Sequence, residues 1–266
     1  ARLATLAKQC EEELIVVMRV NLACMRPDWR DPAEQRQGQA HLNRSLREAR
    51  QPLPDINRLG LPVATDYFDT ITPQFVGDLV SWAAVAGKLA ESDAHRELAS
   101  GLSTPVGFHC PDTDHGFALV DEAVRAGTRE RAFLSVSKQG VAGIVMTCGN
   151  GDCHSVLPSC SERHLSSRAQ TAPTILDCGG PLPLREAQKV AEWIGQSKCL
   201  TPVFGVVLHS FLLSGKQKLS PGHQHVYGMS AGEACIDWSS TEEMLNLFAQ
   251  AVRERRSRGS KRARAD

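Results

Sequence analysis

The sequence predicts an α/β fold of the TIM type, a (β/α)8 barrel, and three observations lead to this prediction. Short, β-branched and nearly continuous apolar runs recur along the chain, which is typical of strands covered on both faces. Amphipathic helix patterns lie between these runs, and that order implies parallel strands with right-handed crossovers. About seven or eight such units in one chain favour a barrel over an open sheet.

The predicted elements follow from this alternation. Strands are predicted over residues 14–20, 61–67, 104–109, 131–137, 143–148, 174–179 and 202–210. Helices are predicted over residues 41–59, 72–85, 93–102, 116–127 and 184–195. A last helix begins at the SSTEE segment, where Ser240 and Glu243 fit a capping box, and runs through MLNLFAQAVRERR (244–256).

These elements predict one barrel domain over residues 1–252. We expect the barrel to be incomplete at its N-terminal strand and to have one shortened βα unit between Pro158 and Thr174. The segment 253–266 is basic, and we expect a disordered tail there.

The composition narrows the class of protein. Thirty basic and thirty acidic residues give a net charge of zero, so we expect neither a nucleic-acid partner nor a membrane partner. Apolar residues make up 42% of the 266 positions, which is ordinary for a globular protein. The nine cysteines include no CxxC pair, which indicates reduced thiols in a cytoplasmic protein.

Barrels carry catalytic side chains at the carboxyl ends of their strands, and the sequence places many polar groups there. They are Arg19, Cys24, Asp66, Lys88, Glu91, His109, Cys110, Lys138, Cys148, Pro158, Asp177, Cys178, His209 and Glu233. Cys178, His209 and Glu233 have the ligand types of a metal site, but no compact motif joins them. Isolated polar residues lining a wet pocket are the favoured interpretation. The segment CGNGDCH (148–154) is interpreted as a tight turn rather than a metal knuckle.

Five segments of the chain resemble one enzyme family. They are LPVATDYFDTITPQF (61–75), ESDAHRELASGLSTPVGF (91–108), FLSVSKQG (133–140), GNGDCH (149–154) and YGMSAGEACIDW (227–238). They closely resemble class I 3-deoxy-7-phosphoheptulonate (DAHP) synthases, metal-dependent barrel enzymes that condense phosphoenolpyruvate with erythrose 4-phosphate. The resemblance runs through nearly the whole chain and implies the same barrel.

The resemblance also implies that several substrate-binding groups are exchanged in this chain. Arg19 and Arg26 of the segment MRVNLACMRPD are kept. Cationic residues of the family correspond here to Cys24, Lys88, His109 and Pro158. A proline cannot make a charge-assisted hydrogen bond to a phosphate or a carboxylate.

The metal ligands of the resembled family are exchanged as well. They are a cysteine on the first barrel strand, a histidine in a DCSH motif, a glutamate in an ESH segment and an aspartate in SITDACI. The first lies outside the sequence given, and the other three correspond to Gly180, His209 and Glu233. Glycine has no side-chain donor, so we expect neither a metal nor another cofactor.

Our first hypothesis is therefore a repurposed, metal-independent barrel that acts on a larger and more apolar natural-product intermediate. Its neutral lining suits an uncharged molecule, and the sharpest form of the hypothesis is a cyclisation such as a [4+2] closure. The predicted catalytic residues are His109, His209, Glu233, Asp177 and Lys88. The predicted substrate-binding residues are Arg19, Cys24, Arg26, Cys110, Pro158, Cys178 and Gly180.

Two alternatives stay open. The first is an active DAHP synthase with a rearranged metal site built from Cys178, His209 and Glu233. The second is a non-catalytic partner that regulates an authentic synthase through the family's dimer surfaces. We expect a small-molecule substrate and a homodimer or tetramer.

Overall fold

The computed structural model describes residues 1–22, 44–137, 139–159, 173–196, 203–218 and 224–262. The chain divides into two compact units. The first comprises Ala1 and Val16–Ser155, and the second comprises Arg2–Ile15 and Val156–Asp266. The expectation of one barrel domain over residues 1–252 stays a prediction.

The first unit is built on a parallel sheet. Its strands β1 (Met18–Val20), β2 (Val63–Tyr67), β3 (Trp82–Val85) and β4 (Val106–His109) neighbour one another in that order. All three neighbouring pairs are parallel. Every residue of β2 is buried, as expected for a strand covered on both faces.

Helical segments follow the strands of this unit. Residues 44–50 are helical, and α2 (Pro52–Arg58), α3 (Thr72–Val76), α4 (Asp93–Gly101) and α5 (Gly116–Gly127) come next along the chain. Short 3₁₀ turns cover Gly77–Leu79 and Gly87–Glu91. A core of Leu53, Val63, Tyr67 and Val76, all fully buried, joins this helical layer to the sheet.

Two of the predicted helices were wrong in extent. The helix predicted over 72–85 ends at Val76, and residues 82–85 form β3 instead, because the largely buried WAAV run pairs with strands on both sides. The helix predicted over 41–59 is interrupted at Gln51, since Pro52 has no N–H to donate and begins a new helix.

The predicted strands 131–137 and 143–148 form a separate antiparallel hairpin rather than part of the parallel sheet. Strands β5 (Arg131–Val136) and β6 (Ala142–Thr147) pair with each other in full register. Leu134 is 84% exposed and Met146 is 71% exposed. The prediction that these runs are covered on both faces was therefore wrong, because apolar content alone does not identify the partner of a strand.

Strand β7 (Cys153–Pro158) contains the boundary between the units, which falls after Ser155. This strand was not predicted from the sequence, because the tight turn before it dominated the pattern. In the second unit, β8 (Thr174–Asp177) and β9 (Val203–Val207) pair in parallel, and α6 (Pro183–Gln196) lies between them along the chain.

The second unit ends with a short strand pair and a long helix. Strands β10 (Leu213–Lys216) and β11 (Met229–Ser230) are parallel, and α7 runs over Trp238–Arg262. Helix α1 (Arg2–Gln9) belongs to the same unit, where Leu6 and Cys10 pack against Ala249 of α7.

Helix α7 differs from its prediction at both ends. Its first turn is capped by Asp237, whose Oδ1 accepts a 2.8 Å hydrogen bond from the Ser240 backbone N–H. At the other end the helix continues to Arg262, although a disordered tail was expected from residue 253. Arg253 forms a 3.1 Å ion pair with Glu13, which holds the first part of that segment against the chain.

The predicted α/β fold class is confirmed, since helices alternate with parallel strands in each unit as in a TIM-type barrel. The six cysteines among the described residues are free thiols, namely Cys10, Cys110, Cys148, Cys153, Cys178 and Cys235. Within the described part of the chain, none of the helices has both the length and the apolar character needed to cross a membrane.

Candidate functional site

A charged triad lies at the strand ends of the second unit. Asp177 is the last residue of β8, His209 follows β9, and Glu233 follows β11. His209 Nε2 is 2.7 Å from Asp177 Oδ1, and His209 Nδ1 is 2.6 Å from Glu233 Oε2. Both imidazole nitrogens therefore contact a carboxylate. The structure brings together three of the five predicted catalytic residues.

The two carboxylates hold a positive charge on His209. Burial alone lowers the pKa of this histidine, but hydrogen bonds from the ring to Asp177 and Glu233 outweigh that effect and raise its pKa to about 9. The histidine and aspartate side chains are 9% and 18% exposed, whereas the Glu233 side chain is 69% exposed. The triad is thus closed on the Asp177 side and open to solvent on the Glu233 side.

Two glycines shape the loop that follows β8. The Gly179 N–H donates a 2.9 Å hydrogen bond to Asp177 Oδ1, which fixes this carboxylate for the histidine. A Cβ at position 179 would lie 3.0 Å from His209 Nε2, so any larger residue would require the ring to shift by a few tenths of an ångström. Gly180 has a φ of +104° and open space where a side chain would begin.

Cys178 lies between Asp177 and these glycines but does not join the triad. Its side chain is fully buried, and its backbone N–H donates to the carbonyl of Val207 in the neighbouring strand. Burial, and then the charge of Asp177, raise the pKa of the thiol well above its ordinary value. The thiol therefore stays protonated at neutral pH and serves as core packing.

A second charged cluster lies at the strand ends of the first unit. The Arg19 guanidinium donates two hydrogen bonds to Asp66 Oδ2, at 3.1 and 2.6 Å, across neighbouring strands β1 and β2. The His109 ring, at the end of β4, has Nε2 3.9 Å from Asp66 Oδ1. Asp66 is 4% exposed, and its Oδ1 accepts no hydrogen bond from the described residues. Arg19 and His109 were predicted site residues, whereas Asp66 was noted only as a strand-end residue.

The CGNGDCH segment forms the tight turn that the sequence analysis favoured. Asn150 fixes the turn, because its side-chain amide donates to the carbonyls of Ala99 and Thr104 and its carbonyl accepts from the Asp152 N–H. His154 Nε2 accepts a 2.9 Å hydrogen bond from Trp82 Nε1, and His154 Nδ1 lies 2.8 Å from the Asp152 carbonyl. This ring has a structural role. Trp82 was missed because its segment was predicted to be helical.

The remaining predicted residues are more dispersed. Lys88 lies in an exposed 3₁₀ turn, and no hydrogen bond or ion pair joins its ammonium to another described residue. Cys110 Sγ is 3.6 Å from the Pro111 carbonyl. Pro158 ends β7 and is partly buried. Cys24 and Arg26 lie outside the described residues.

The residues present do not fit the divalent metal that the family resemblance implies. Gly180 has no donor atom, both nitrogens of His209 are hydrogen-bonded to carboxylates, and the Cys178 side chain is fully buried in the core. Among the described residues, no group of three or more histidine, cysteine, aspartate or glutamate side chains is arranged to hold a metal ion.

Comparison with known proteins decides the family. A sequence model of the DAHP synthetase I family matches residues 1–246. The Phe-sensitive phospho-2-dehydro-3-deoxyheptonate aldolase of Escherichia coli strain K12 is 37% identical over 280 residues, which cover 96% of this chain and 79% of that protein.

The chain belongs to the DAHP synthetase I family.

Further relatives agree with this membership. The Trp-sensitive aldolase of the same name from Enterobacter agglomerans is 36% identical over 277 residues, covering 96% of this chain and 79% of its own. The structure of phospho-2-dehydro-3-deoxyheptonate aldolase from Francisella tularensis SCHU S4 superposes with a TM-score of 0.80 at 29% identity. It covers 96% of this chain and 80% of the other.

Family membership changes the order of the functional hypotheses. The matched relatives are phospho-2-dehydro-3-deoxyheptonate aldolases by name, and they favour the synthase alternative. The cyclisation of an apolar natural-product intermediate, placed first by the sequence analysis, gains no support from them. The exchanged positions at the site remain, and any synthase chemistry has to proceed with them.

Proposed function

We propose that this chain is a carbon–carbon bond-forming transferase of the DAHP synthase type, which condenses an enol phosphate with a sugar-phosphate aldehyde. The observation that carries the proposal is the family match over residues 1–246, together with a charged triad at the strand ends where the family places its metal ligands. Phosphoenolpyruvate and erythrose 4-phosphate, the substrates of the resembled synthases, are the first pair to test.

The chemistry requires a group that neutralises developing negative charge. When the enol carbon attacks the aldehyde carbon, the carbonyl electrons move onto the aldehyde oxygen, which then takes up a proton. Water adds to the carbon that carries the phosphate, and inorganic phosphate leaves from that carbon. A preorganised N–H donor at that oxygen stabilises the transition state. His209 has such donors, because each of its ring nitrogens faces a carboxylate that holds it protonated.

The exposure of the triad supports an assignment of roles. Glu233 is 69% exposed, so its carboxylate can move aside and leave His209 Nδ1–H to a substrate oxygen. Asp177 is held by the Gly179 N–H and stays on the other nitrogen. In this proposal His209 is the proton donor, and Asp177 is the positioning residue that orients it.

The chain has fewer cationic side chains than the resembled synthases at the positions that bind their anionic substrates. Arg19 remains, with its guanidinium on Asp66 and 31% of its side chain exposed, and Lys88 remains as an exposed cation. His109 and Pro158 replace a lysine and an arginine of the resembled synthases. Since charge-assisted hydrogen bonds to phosphate are the strong ones, we expect a high KM for both phosphorylated substrates.

The test is a turnover assay on the purified full chain. Phosphoenolpyruvate and erythrose 4-phosphate are supplied at millimolar concentration with EDTA present, and phosphate release and product mass are measured. We expect slow turnover that His209→Gln reduces by about 100-fold or more, in the range for a general acid. His225→Gln, at an exposed histidine outside the triad, is the matched control and keeps the wild-type rate.

Two results would contradict the proposal. One is a folded wild-type protein that releases no phosphate at saturating substrate, which would favour the non-catalytic regulatory partner. The other is turnover that His209→Gln leaves unchanged, which would place the proton donor elsewhere.

A further inference from the structure

We infer that His209, clamped between the carboxylates of Asp177 and Glu233, occupies the place of the family's divalent cation, so that this centre binds no divalent metal. This site is that of the proposed function, and the inference rests on that function only for the catalytic role of His209. Its test is metal binding and the protonation of one ring, neither of which depends on turnover.

The hydrogen-bond donors and acceptors around the His209 ring support this inference. A neutral imidazole has one N–H donor and one nitrogen lone pair, whereas an ionised carboxylate only accepts hydrogen bonds. Asp177 Oδ1 lies 2.7 Å from Nε2 and Glu233 Oε2 lies 2.6 Å from Nδ1. Both nitrogens must donate to satisfy these contacts. Such a ring can coordinate a metal only after it loses one proton and one of these two contacts.

The balance of charge between the two carboxylates and the His209 ring also supports it. Two carboxylates that converge on one point in a partly buried site are stabilised by a cation between them. In the resembled synthases a divalent metal provides that charge. Here the imidazolium provides one positive charge within hydrogen-bond distance of both carboxylates, and the carboxylates no longer have their charge available for a metal.

The loop after β8 has a shape that favours the His209 ring over a metal. The DCSH motif of the resembled synthases has serine and histidine where this chain has Gly179 and Gly180. Loss of the histidine at 180 removes a metal donor. Loss of the serine side chain at 179 removes an atom that would lie 3.0 Å from His209 Nε2 and 3.1 Å from Asp177 Oδ1. Both exchanges thus favour an imidazole over a metal at the same place.

The experiment compares divalent metal binding by wild-type protein and two variants. Bound Mn²⁺ is counted by electron paramagnetic resonance after titration of the full chain. Wild-type protein and Gly180→His, which adds a donor but keeps the imidazole in place, are expected to bind no Mn²⁺ up to about 1 mM. The double variant Gly180→His with His209→Glu removes the clamped ring and adds two donors, and it is expected to bind one Mn²⁺ per chain.

A spectroscopic measurement keeps the inference testable if the double variant does not fold. Nitrogen-15 chemical shifts of the imidazole ring in wild-type protein report whether both nitrogens carry protons. We expect the doubly protonated signature for His209 at pH 7, assigned by its loss in His209→Gln, and no paramagnetic broadening when Mn²⁺ is added.

The inference is overturned by a neutral His209 ring at pH 7, or by one Mn²⁺ bound to wild-type protein and released in His209→Gln. Turnover does not enter either result. A metal-free, doubly protonated His209 in a protein without synthase activity would remove the proposed function and leave this inference standing.

Discussion

His209 Nε2 lies 2.7 Å from Asp177 Oδ1, and this contact joins the ends of two neighbouring parallel strands, β8 and β9. Removing one partner of this partly buried ion pair is destabilising, since the other charge is left without compensation. It also makes the stability of the fold depend on pH.

The pH dependence of unfolding follows from the raised pKa of His209. The ordinary histidine pKa is about 6.5, and the folded value is about 9. Because the folded pKa is higher, the ion pair stabilises the fold fully below about pH 6.5 and loses this effect as the pH rises through 9. We expect urea unfolding to show a loss of on the order of 2 kcal/mol between about pH 6.5 and 9.5. In His209→Gln this part of the pH dependence is absent, whereas His225→Gln retains it.

The Arg19–Asp66 pair has a comparable role in the first unit. Arg19→Met leaves the 4% exposed Asp66 carboxylate without its guanidinium, and we expect a loss of about 2 kcal/mol in the free energy of unfolding. Arg44→Met is the control, because the Arg44–Glu48 pair is well exposed and changes stability by about 0.5 kcal/mol or less. Equal losses in the two variants would contradict the assignment of Asp66 as a buried charge.

Gly149 is the strictest backbone position in the turn before β7. Its φ is +79°, and a Cβ there would lie 2.3 Å from the Thr128 carbonyl oxygen. Gly149→Ala is expected to lower the free energy of unfolding by about 3 kcal/mol, measured by urea denaturation. Gly151→Ala, two residues later and with open space at its Cβ, should cost less than about 1 kcal/mol. Similar losses in the free energy of unfolding for both variants would show that the backbone moves to relieve the clash at Gly149.

The cap of helix α7 distinguishes the structure from the sequence prediction. Asp237→Ala removes the acceptor of the Ser240 N–H and should cost about 1 kcal/mol in thermal or urea unfolding. Glu243→Ala removes the glutamate of the predicted capping box and should leave stability within about 0.5 kcal/mol. A larger loss of stability in Glu243→Ala than in Asp237→Ala would instead support the predicted capping box.

Sequence patterns predicted much of the fold because its parallel strands are buried and its helices are amphipathic. Strand β2 and helices α4, α5 and α6 lie where the periodicity predicted them. Strand β3 was not predictable, since WAAV follows a helical pattern and becomes a strand only by pairing on both sides. The hairpin β5–β6 was mistaken for core strands because exposure is not encoded in apolar content alone.

The sequence predicted which residues form the candidate site but not how their side chains are arranged. Asp177, His209 and Glu233 were identified as strand-end residues, because parallel strands bring their carboxyl ends together. The order of the hydrogen bonds, with the histidine in the middle, depends on atomic positions that spacing does not specify. Asp66 was noted at a strand end but not chosen as a site residue, although it lies near the end of a fully buried strand that pairs with the strand of Arg19.

The missing side chain at Gly179 has a consequence for other sequences. A Cβ at this point would lie 3.0 Å from the neighbouring imidazole nitrogen, so the ring would have to shift, and we expect the two positions to vary together. Among relatives, glycine at 179 should accompany histidine at 209, and serine at 179 should accompany glutamate there. The combination of glycine at 179 and histidine at 209 is a marker by which chains with the same exchange can be recognised from their amino-acid sequences alone.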